Sequence, residues 1–408
     1  MVRVLLLTHY DNMYGANKAL LKLVLKMHAS GRYEPIVVIP AKGSFTDILD
    51  KEGITYFVCP ITQWQAVYAE AVSFEIKKNK RKKAISNEFE ILYEHFKDAP
   101  PDIIHSNSSV IGTGAMLAKR FECRHIWHIR EFAREHYGMR YFYPESIVKE
   151  YYEKADRVIA ISEAVRDSVE KKYPGAHTTV VYDGIETALT EEATTLCRAG
   201  LRTADGSDEG GTGSDSRNSY HAGDNVTRFL YTGYIFPAKH QLDLLKAAVV
   251  LINNGCSAFH ITFAGNGDER YCRTLESYIK KNKLENHVTM TGFTDNVPDL
   301  IKKSDVGVIA SEYEGFGLVT AEYMLGGLPV LGRRSGATPE IILDGVTGFL
   351  FDDVSGLAAL MKRFIDDPRL GKSMGSKGRE RVAQCFTAEK NAEGVMAVYD
   401  EVMKETGK

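Results

Sequence analysis

The hydrophobic pattern of the chain consists of short apolar runs that alternate with stretches of helical spacing. In the first half the runs are VRVLLL, PIVVI, DIIHS, HIWHI and RVIAIS, and residues 17–27 and 163–172 show the helical spacing. From Arg228 the pattern starts again with RFLYTG, HITFAG, VTMTGF, VGVIAS and PVLG. Short β-rich runs that alternate with helices are typical of parallel α/β sheets. The chain is therefore predicted to contain two Rossmann-like, doubly wound α/β domains.

A polar segment separates the two halves. Residues 203–225 are almost devoid of apolar side chains and rich in Gly, Ser and Asp. Such a segment cannot bury enough apolar surface to offset the entropy of ordering it, so we expect it to be disordered. It lies in a linker or insertion predicted at 187–226, between an N-terminal domain at 1–186 and a C-terminal domain at 227–386.

Length and composition fit a large enzyme of the reducing cytosol. A chain of 408 residues exceeds what one hydrophobic core usually supports, which favours two domains. Its net charge of −3 gives no reason to expect nucleic acid as a partner. Six cysteines occur without a C-x-x-C pair, which speaks against a disulfide framework and a zinc site. The N-terminal apolar run is short and is predicted to be a strand, and no run of about 18 apolar residues predicts a membrane span.

One basic run stands apart from this balanced composition. The segment KKNKRKK, residues 77–83, holds six cations among seven residues and follows the aromatic-bearing stretch 64–76. Basic clusters of this kind bind anionic lipid headgroups, and each charge contributes on the order of 1 kcal/mol. A solvated helix face or loop explains the run equally well. Peripheral contact with an anionic membrane is therefore a hypothesis.

The segment with the clearest chemistry follows the apolar run at 306–310. Glu314 precedes the turn Gly315-Phe316-Gly317, and Leu318 opens a stretch of helical spacing that contains Glu322. Backbone N–H groups at the start of a helix favour anionic oxygen, and nearby carboxylates accept hydrogen bonds from hydroxyls. Hydroxyls beside phosphate are the chemistry of a sugar nucleotide. The spacing alone is equally typical of an ordinary glycine turn with solvated glutamates.

The residues around this turn resemble a known family. The sequence E-x7-E with GFGL inside it, then GLPVL, then G-x-x-x-E-I-I-x-D-G-x-T-G-F-L, resembles the retaining glycosyltransferases of family 4. The resemblance implies the GT-B fold, in which two Rossmann-like domains face each other across a cleft and the last helix, here 387–408, packs back on the first domain. It implies that Glu314, His128 and Lys239 are the catalytic residues, that Glu314 binds hydroxyls of the transferred sugar, and that Glu322 binds those of the nucleotide ribose.

Further motifs of the first half fit the same resemblance. Gly15 and Ala16 follow the first strand, where a backbone turn can approach a phosphate. His128, in HIWHIRE, matches a histidine that faces the transferred sugar in the family, and a core histidine satisfied by the backbone is the alternative. Asn107 and Arg130 come at the same edge of the sheet and are candidates for the acceptor or sugar side.

The second half supplies candidate residues for the donor phosphates and base. Gly233 ends a strand and Lys239 follows, where an ammonium group can neutralise a diphosphate. The family usually has G-R-x-x-x-x-K here, but Tyr234 stands in the arginine position, so either Lys239 alone or another base such as Arg333 or Arg334 compensates the charge. Two further loops are expected to contact the base and the phosphates of the donor. They are AGNGDE, which contains Gly265, and TGFTDN, which contains Phe293.

The resemblance implies transfer of a hexosyl or related group from a UDP- or GDP-sugar to a glycan or lipid-linked acceptor, with retention of anomeric configuration. No D-x-D metal motif follows a strand, and family members usually work without a bound metal or other cofactor. Synthesis of surface polysaccharide in the cytoplasm, at the inner membrane face, is the expected context.

Other functions remain open on the sequence alone. A GT-B-like sugar-nucleotide epimerase and a catalytically silent sugar-nucleotide-binding protein both fit a Rossmann-like pair of domains. A pyridoxal-dependent phosphorylase would need a Schiff-base lysine, for which there is no signature. A nicotinamide-dependent dehydrogenase would need a clean G-x-G-x-x-G after the first strand, which the chain lacks.

Overall fold

The structure is a computed structural model that describes residues 1–11, 15–67, 71–132, 138–186, 226–294 and 296–405. The chain divides into two compact units, one formed by 1–184 together with 388–408 and the other by 185–387. The predicted linker, except for Val226, lies outside the described residues.

The first unit is built on a parallel sheet of seven described strands in the order β3-β2-β1-β5-β6-β8-β9. An antiparallel pair, β4 with β7, forms a separate small sheet. The strands of this unit are β1 Val2–Leu7, β2 Tyr33–Ile39, β3 Tyr56–Val58, β4 Gln65–Val67, β5 Ile103–Asn107, β6 Arg124–Ile129, β7 Met139–Tyr141, β8 Arg157–Ala160 and β9 Thr178–Val180.

Helices cover both faces of this sheet, and the pattern of burial explains why the strand sequences are apolar throughout. Val4 and Leu6 of β1 pack into one hydrophobic cluster and Leu5 and Leu7 into the other. Strands buried on both faces lose the polar alternation of a half-exposed strand. The described helices of the first part of the chain are α1 Gly15–Ser30, α2 Ser44–Lys51, α3 Ala71–Phe96, α4 Thr113–Phe121, α5 Glu145–Lys154 and α6 Glu163–Lys172.

The second unit repeats the design with six described parallel strands in the order β12-β11-β10-β13-β14-β15. These are β10 Thr227–Thr232, β11 Phe259–Ala264, β12 Val288–Met290, β13 Val306–Ile309, β14 Val330–Arg333 and β15 Gly348–Phe351. A 3₁₀ turn at Pro237–Lys239 precedes the helices α7 Gln241–Asn253, α8 Glu269–Lys281, α9 Val297–Lys302, α10 Leu318–Leu325, α11 Thr338–Ile341, α12 Val354–Asp366 and α13 Leu370–Cys385.

The last helix, α14 Ala388–Lys404, belongs to the first unit. Its apolar positions Val395, Val398, Tyr399 and Val402 are buried in the same cluster as Val4 and Leu6. The Tyr399 hydroxyl also lies 2.7 Å from His105 Nδ1 in β5. The end of the chain therefore completes the core that its beginning starts.

The predicted fold class, two Rossmann-like parallel α/β sheets, is confirmed. Every apolar run named in the sequence forms a strand. The pattern missed β3, β9 and β15 in the two main sheets, together with the small sheet of β4 and β7. Four of these five strands have only three residues each, too few to show the periodicity on which the prediction depends.

Candidate active site

The carboxyl edge of the first sheet brings several predicted residues together. Asn107 ends β5, His128 lies inside the neighbouring strand β6, and the two residues are paired in register. Their side chains therefore leave the sheet on the same face. The Asn107 amide also donates to the backbone oxygen of Ala16, at 3.4 Å, which connects this pair to the start of α1 beside Gly15.

Arg130, directly after β6, is almost fully buried and its guanidinium group has three neighbours within the unit. Nε donates to Asn107 Oδ1 at 2.7 Å, and a terminal nitrogen donates to Asp183 Oδ1. The other terminal nitrogen lies 3.4 Å from His128 Nδ1. Asp183 is thus the counter-ion of Arg130.

His128 is completely buried and its surroundings disfavour a positive charge. Burial, followed by the charge of Arg130 and the nearby ring of His105, holds the pKa of His128 well below its usual range. Its Nε2 atom has no hydrogen-bond partner among the described residues. The alternative of a core histidine satisfied by the backbone does not match this geometry.

His105 and Glu131 complete this edge, and the sequence did not single out either of them. The His105 ring lies 5.3 Å from that of His128, edge to face, and burial is the largest cause that lowers its pKa to about 3. Glu131 accepts hydrogen bonds from the Ser108 hydroxyl, at 2.8 Å, and from the Ser109 backbone N–H, at 2.8 Å. Its carboxylate is therefore used to hold the loop after β5.

The carboxyl edge of the second sheet is made of glycine turns that are bonded to one another. The N–H of Gly233 donates to Ala264 O at 2.9 Å, and that of Gly265 donates to Gly292 O at 2.8 Å. Gly265 has φ of +148°, and a Cβ atom there would lie 2.1 Å from Gly233 O. Only glycine fits this approach, so the turns after β10 and β11 form one closely packed surface.

Lys239 and Glu314, predicted as catalytic residues from positions 75 residues apart, are in direct contact. The ammonium nitrogen lies 3.0 Å from Oε1 and 2.8 Å from Oε2 of the carboxylate. Both side chains are partly exposed, at 26% and 13%. The pair joins the 3₁₀ turn after β10 to the loop after β13, and it places a cation where the second sheet ends.

The turn Gly315-Phe316-Gly317 leads directly into α10. Gly317 is the N-cap, with φ of +90°, and it has no side-chain oxygen to occupy the helix N-terminus. The first turn of α10 carries no acidic residue, so the positive end of the helix is not neutralised from within the helix. Leu318 opens this helix and Glu322 follows one turn later.

The two arginines considered as substitutes for the missing arginine both have acidic partners. Arg333 donates to Asp243 Oδ2 at 2.5 Å and to Ala310 O at 2.8 Å. Arg334 pairs with Asp344 at 2.8 Å and with Asp352 at 3.5 Å. His240, which the sequence did not suggest, lies 3.1 Å from Asp243 and 3.6 Å from Glu312.

Two aromatic side chains are exposed at this edge, Tyr234 at 56% and Phe293 at 61%. They follow β10 and β12, which flank β11 in the sheet. Large exposed aromatic rings beside glycine turns are suited to stacking on a flat ligand. Tyr234 therefore offers an aromatic ring at the position where the family that the sequence resembles usually has an arginine.

Neither a metal site nor a membrane-spanning helix occurs among the described residues. No group of three or more His, Cys, Asp and Glu side chains in this part of the chain is arranged to hold a metal ion. No described helix is long and apolar enough to cross a membrane.

Two family models match successive parts of the chain. The model for Glycosyltransferase Family 4 matches residues 15–189, and the model for Glycosyl transferases group 1 matches 214–381. The chain belongs to the family 4 glycosyltransferases. The second match contains the whole Lys239 and Glu314 region, and the first contains Asn107, His128 and Arg130.

Relatives of known name share part of the family 4 sequence. The chain is 35% identical over 147 residues to N-acetyl-alpha-D-glucosaminyl L-malate synthase of Bacillus anthracis, which covers 36% of this chain and 38% of that protein. It is 24% identical over 311 residues to an uncharacterized glycosyltransferase of Methanocaldococcus jannaschii, which covers 74% and 76%. The first alignment thus spans well under half of the relative.

Solved structures show the same fold over nearly the whole chain. Anabaena HepE, in complex with UDP and glucose, has a TM-score of 0.72 at 19% identity and covers 98% of this chain and 100% of its own. A glycosyltransferase from Rickettsia africae has a TM-score of 0.73 at 19% identity and covers 99% of both. At this identity the likeness shows the fold, which is the predicted GT-B class.

Proposed function

We propose that this family 4 protein transfers a sugar from a nucleotide-sugar donor to a glycan or lipid-linked acceptor, with retention of anomeric configuration and without a bound metal. The observation that carries the proposal is the contact of Lys239 with Glu314 beside the N-terminus of α10. A cation, a hydroxyl acceptor and a helix N-terminus are the groups that a sugar diphosphate needs.

Stabilising the leaving diphosphate is the main electrostatic task of such a transfer. Its negative charge grows as the glycosidic bond breaks, and fixed positive groups that await this charge lower the barrier. The Lys239 ammonium group and the N-terminus of α10 supply that positive potential. By the family resemblance, the leaving phosphate itself takes the proton of the acceptor, which requires no separate base.

The remaining donor contacts are proposed for the turns of the second unit. Gly233, Gly265 and the turn at 315–317 let the backbone approach phosphate and sugar closely. Glu322 in α10 is proposed to bind the ribose hydroxyls, and Phe293 the base. In Anabaena HepE the bound nucleotide is UDP, which makes UDP-sugars the first donors to test.

The acceptor side is proposed for the first unit, where Asn107, His128 and Arg130 lie. Surface polysaccharide is the proposed product class. The basic run of α3 at 77–83 is proposed to bring the protein to anionic lipid at the cytoplasmic face of a membrane. All its lysines and its arginine are at least partly exposed, and the neighbouring Ile76 side chain is 68% exposed.

A donor panel tests the proposal directly. A ligand that binds only the folded protein raises its melting temperature, so the matching UDP- or GDP-sugar is expected to shift Tm by several degrees at 100-fold excess over Kd. Release of the nucleoside diphosphate from that donor then measures turnover, and NMR of the product sugar reports its anomeric configuration.

The matched control for this panel is a neighbouring lysine. Lys239→Ala is expected to lose most of the Tm shift and most of the turnover, whereas Lys246→Ala leaves both intact, because among the described residues Lys246 pairs with Asp243, at 3.1 Å, and not with Glu314. A panel without any stabilising donor, or full turnover by the Lys239→Ala protein, would contradict the proposed function.

A further inference from the structure

The contacts of Arg130 determine the state of a neighbouring imidazole. An arginine side chain has five N–H donors and no acceptor, and it stays protonated in proteins. A terminal nitrogen of Arg130 lies 3.4 Å from His128 Nδ1. Because this nitrogen can only donate, Nδ1 must accept the hydrogen bond and cannot carry a proton. A neutral imidazole has only one N–H, which leaves the proton on Nε2.

We propose that Arg130 is a positioning residue that holds His128 in the neutral tautomer with its proton on Nε2. This assigns Arg130 a different task from the contact with acceptor or sugar that the sequence suggested. The inference rests on the proposed function only where it concerns the ligand of Nε2, since the tautomer itself follows from the contacts within the first unit.

Arg130 can act in this way because its own position is fixed from two other elements. Asn107 Oδ1, at the end of β5, accepts from Nε at 2.7 Å, and Asp183, after β9, accepts from the nitrogen on the other branch. The side chains of Arg130 and Asp183 are only 4% and 6% exposed. A buried, paired guanidinium group has little freedom to turn away from the imidazole.

The other neighbours of His128 do not supply a competing charge. His105 faces it across 5.3 Å, and its Nδ1 is occupied by the hydroxyl of Tyr399 from α14, at 2.7 Å. Among the described residues, Asp183 is the only carboxylate bonded to Arg130. Its negative charge is balanced by the guanidinium group. The direction of the His128 pKa, far below its usual range, agrees with a ring that stays neutral.

The free end of this arrangement is the Nε2–H group. It is buried and has no partner among the described residues. A buried donor without an acceptor is unfavourable, so the site is suited to an oxygen atom that arrives with a ligand. For a sugar-transfer enzyme, that atom is a hydroxyl of the bound sugar, and His128 serves as a hydrogen-bond donor and not as a general base.

The decisive measurement needs no substrate. The full-length protein is labelled with ¹⁵N-histidine, and the long-range ¹H–¹⁵N spectrum distinguishes protonated from unprotonated ring nitrogens. His128→Gln assigns the signal by difference. We expect an unprotonated Nδ1 and a protonated Nε2 at every pH from about 5.5 to 8. A proton on Nδ1, or conversion to imidazolium in this range, would overturn the inference.

Substitutions of Arg130 test the positioning role. In Arg130→Gln the positive charge is gone, so the pKa of His128 should rise, and activity should fall as pH drops below the ordinary histidine range. We expect about a tenfold loss in kcat at neutral pH, the size of one hydrogen bond, with the donor KM nearly unchanged. Arg130→Lys should keep the wild-type pH profile, since it keeps the charge.

Arg124 provides the matched control. It opens the same strand, β6, and pairs with another shielded aspartate, Asp156, at 2.8 Å. Arg124→Gln should lower the melting temperature without changing the His128 tautomer or the pH profile. Equal pH effects in the two variants would show that Arg130 is only structural. Should Arg130→Gln fail to fold, the spectrum of the native protein still decides the tautomer.

Discussion

The carboxyl edges of the two sheets handle charge in opposite ways. In the first unit the polar side chains are buried, since Asn107 and His128 are fully buried and Arg130 is 8% exposed. In the second unit the Lys239 and Glu314 side chains are partly open to solvent, and two aromatic rings are largely exposed. The same sheet architecture thus carries one edge with fixed protonation and one edge with charges that a ligand can reach.

The difference follows from where each charge finds its partner. Arg130 pairs with Asp183 at a buried site, where desolvation makes an unpaired charge very unfavourable. This ion pair is therefore expected to remain intact when a ligand binds. Lys239 pairs with Glu314 where water and ions compete, and such a pair contributes only about 1 kcal/mol or less. A diphosphate, with more charge than one carboxylate, can therefore replace Glu314 as the partner of Lys239.

The largest expected effect comes from breaking the exposed pair. Glu314→Ala and Lys239→Ala should each reduce kcat/KM by about 100- to 1000-fold, as expected for groups that stabilise charge in the transition state. Glu314→Gln should behave differently in binding, because it removes the internal competitor for Lys239. We expect it to bind the nucleoside diphosphate about fivefold more tightly by calorimetry, even though transfer is lost.

Glu312→Gln is the control for that experiment, since Glu312 lies in the same loop and its side chain is 48% exposed. Its diphosphate affinity should stay near that of the wild type. Weaker diphosphate binding by Glu314→Gln would mean that Glu314 orients Lys239 and does not compete for it, and the contrast between the two edges would then fail.

A second test concerns the positive charge that the first unit carries on its outer helix and not at its sheet edge. Replacing Lys77, Lys80 and Lys83 by Gln should weaken binding to vesicles rich in anionic lipid by about 100-fold, at about 1 kcal/mol per lysine. Sedimentation with vesicles measures the partition. Neutralising three exposed lysines of the second unit, Lys280, Lys281 and Lys283, should have little effect.

Two results would contradict the membrane proposal. Binding of the wild-type protein to neutral vesicles as tightly as to anionic ones would show that charge is not the cause. Equal loss of binding from the two sets of lysines would show that the position of the basic run in α3 does not matter.

The smallest expected effect concerns the burial of charge in the first unit. It is tested at Glu88, a buried carboxyl group in α3. Thr62 N–H donates to it at 2.7 Å and the Thr113 hydroxyl donates to its other oxygen. Burial raises its pKa from 4.5 to about 7, against these hydrogen bonds. The folded protein therefore holds a proton that the unfolded chain has released, and stability falls as pH rises from about 4.5 to 7.

Glu88→Gln should remove that dependence, because the amide stays neutral. The melting temperature of Glu88→Gln minus that of the wild type should be a few degrees larger at pH 8 than at pH 5. Glu90→Gln, an exposed change on the same helix, should leave the wild-type pH dependence intact. A Glu88→Gln protein whose stability still falls between pH 5 and 7 would assign the dependence to other groups.

The sequence was sufficient for the positions of the main strands and of the loops that follow them. Glycine turns and polar residues after apolar runs must lie at the carboxyl edge of a parallel sheet, and this places Gly233, Gly265 and Glu314 there. The same logic placed Asn107 and His128 at the edge of the first sheet.

Side-chain partners were beyond the reach of the pattern, since they depend on rotamers and on distant parts of the chain. Nothing in the order of residues shows that Lys239 and Glu314 meet, or that Asp183 neutralises Arg130. The contact of Tyr399 with His105 joins positions 294 residues apart. Such contacts form only when both elements are packed, and no local periodicity reports them.

The position of α14 has a consequence for synthesis on the ribosome. The second unit is continuous, from 185 to 387, and all of it has been translated before the helix that completes the first unit emerges. Domains that fold during synthesis usually do so from the N-terminus onward. Here the core of the N-terminal unit cannot be completed until the helix at 388–404 has been synthesised. A stop codon shortly before Ala388 would therefore leave the second unit whole and the first unit with an exposed apolar face.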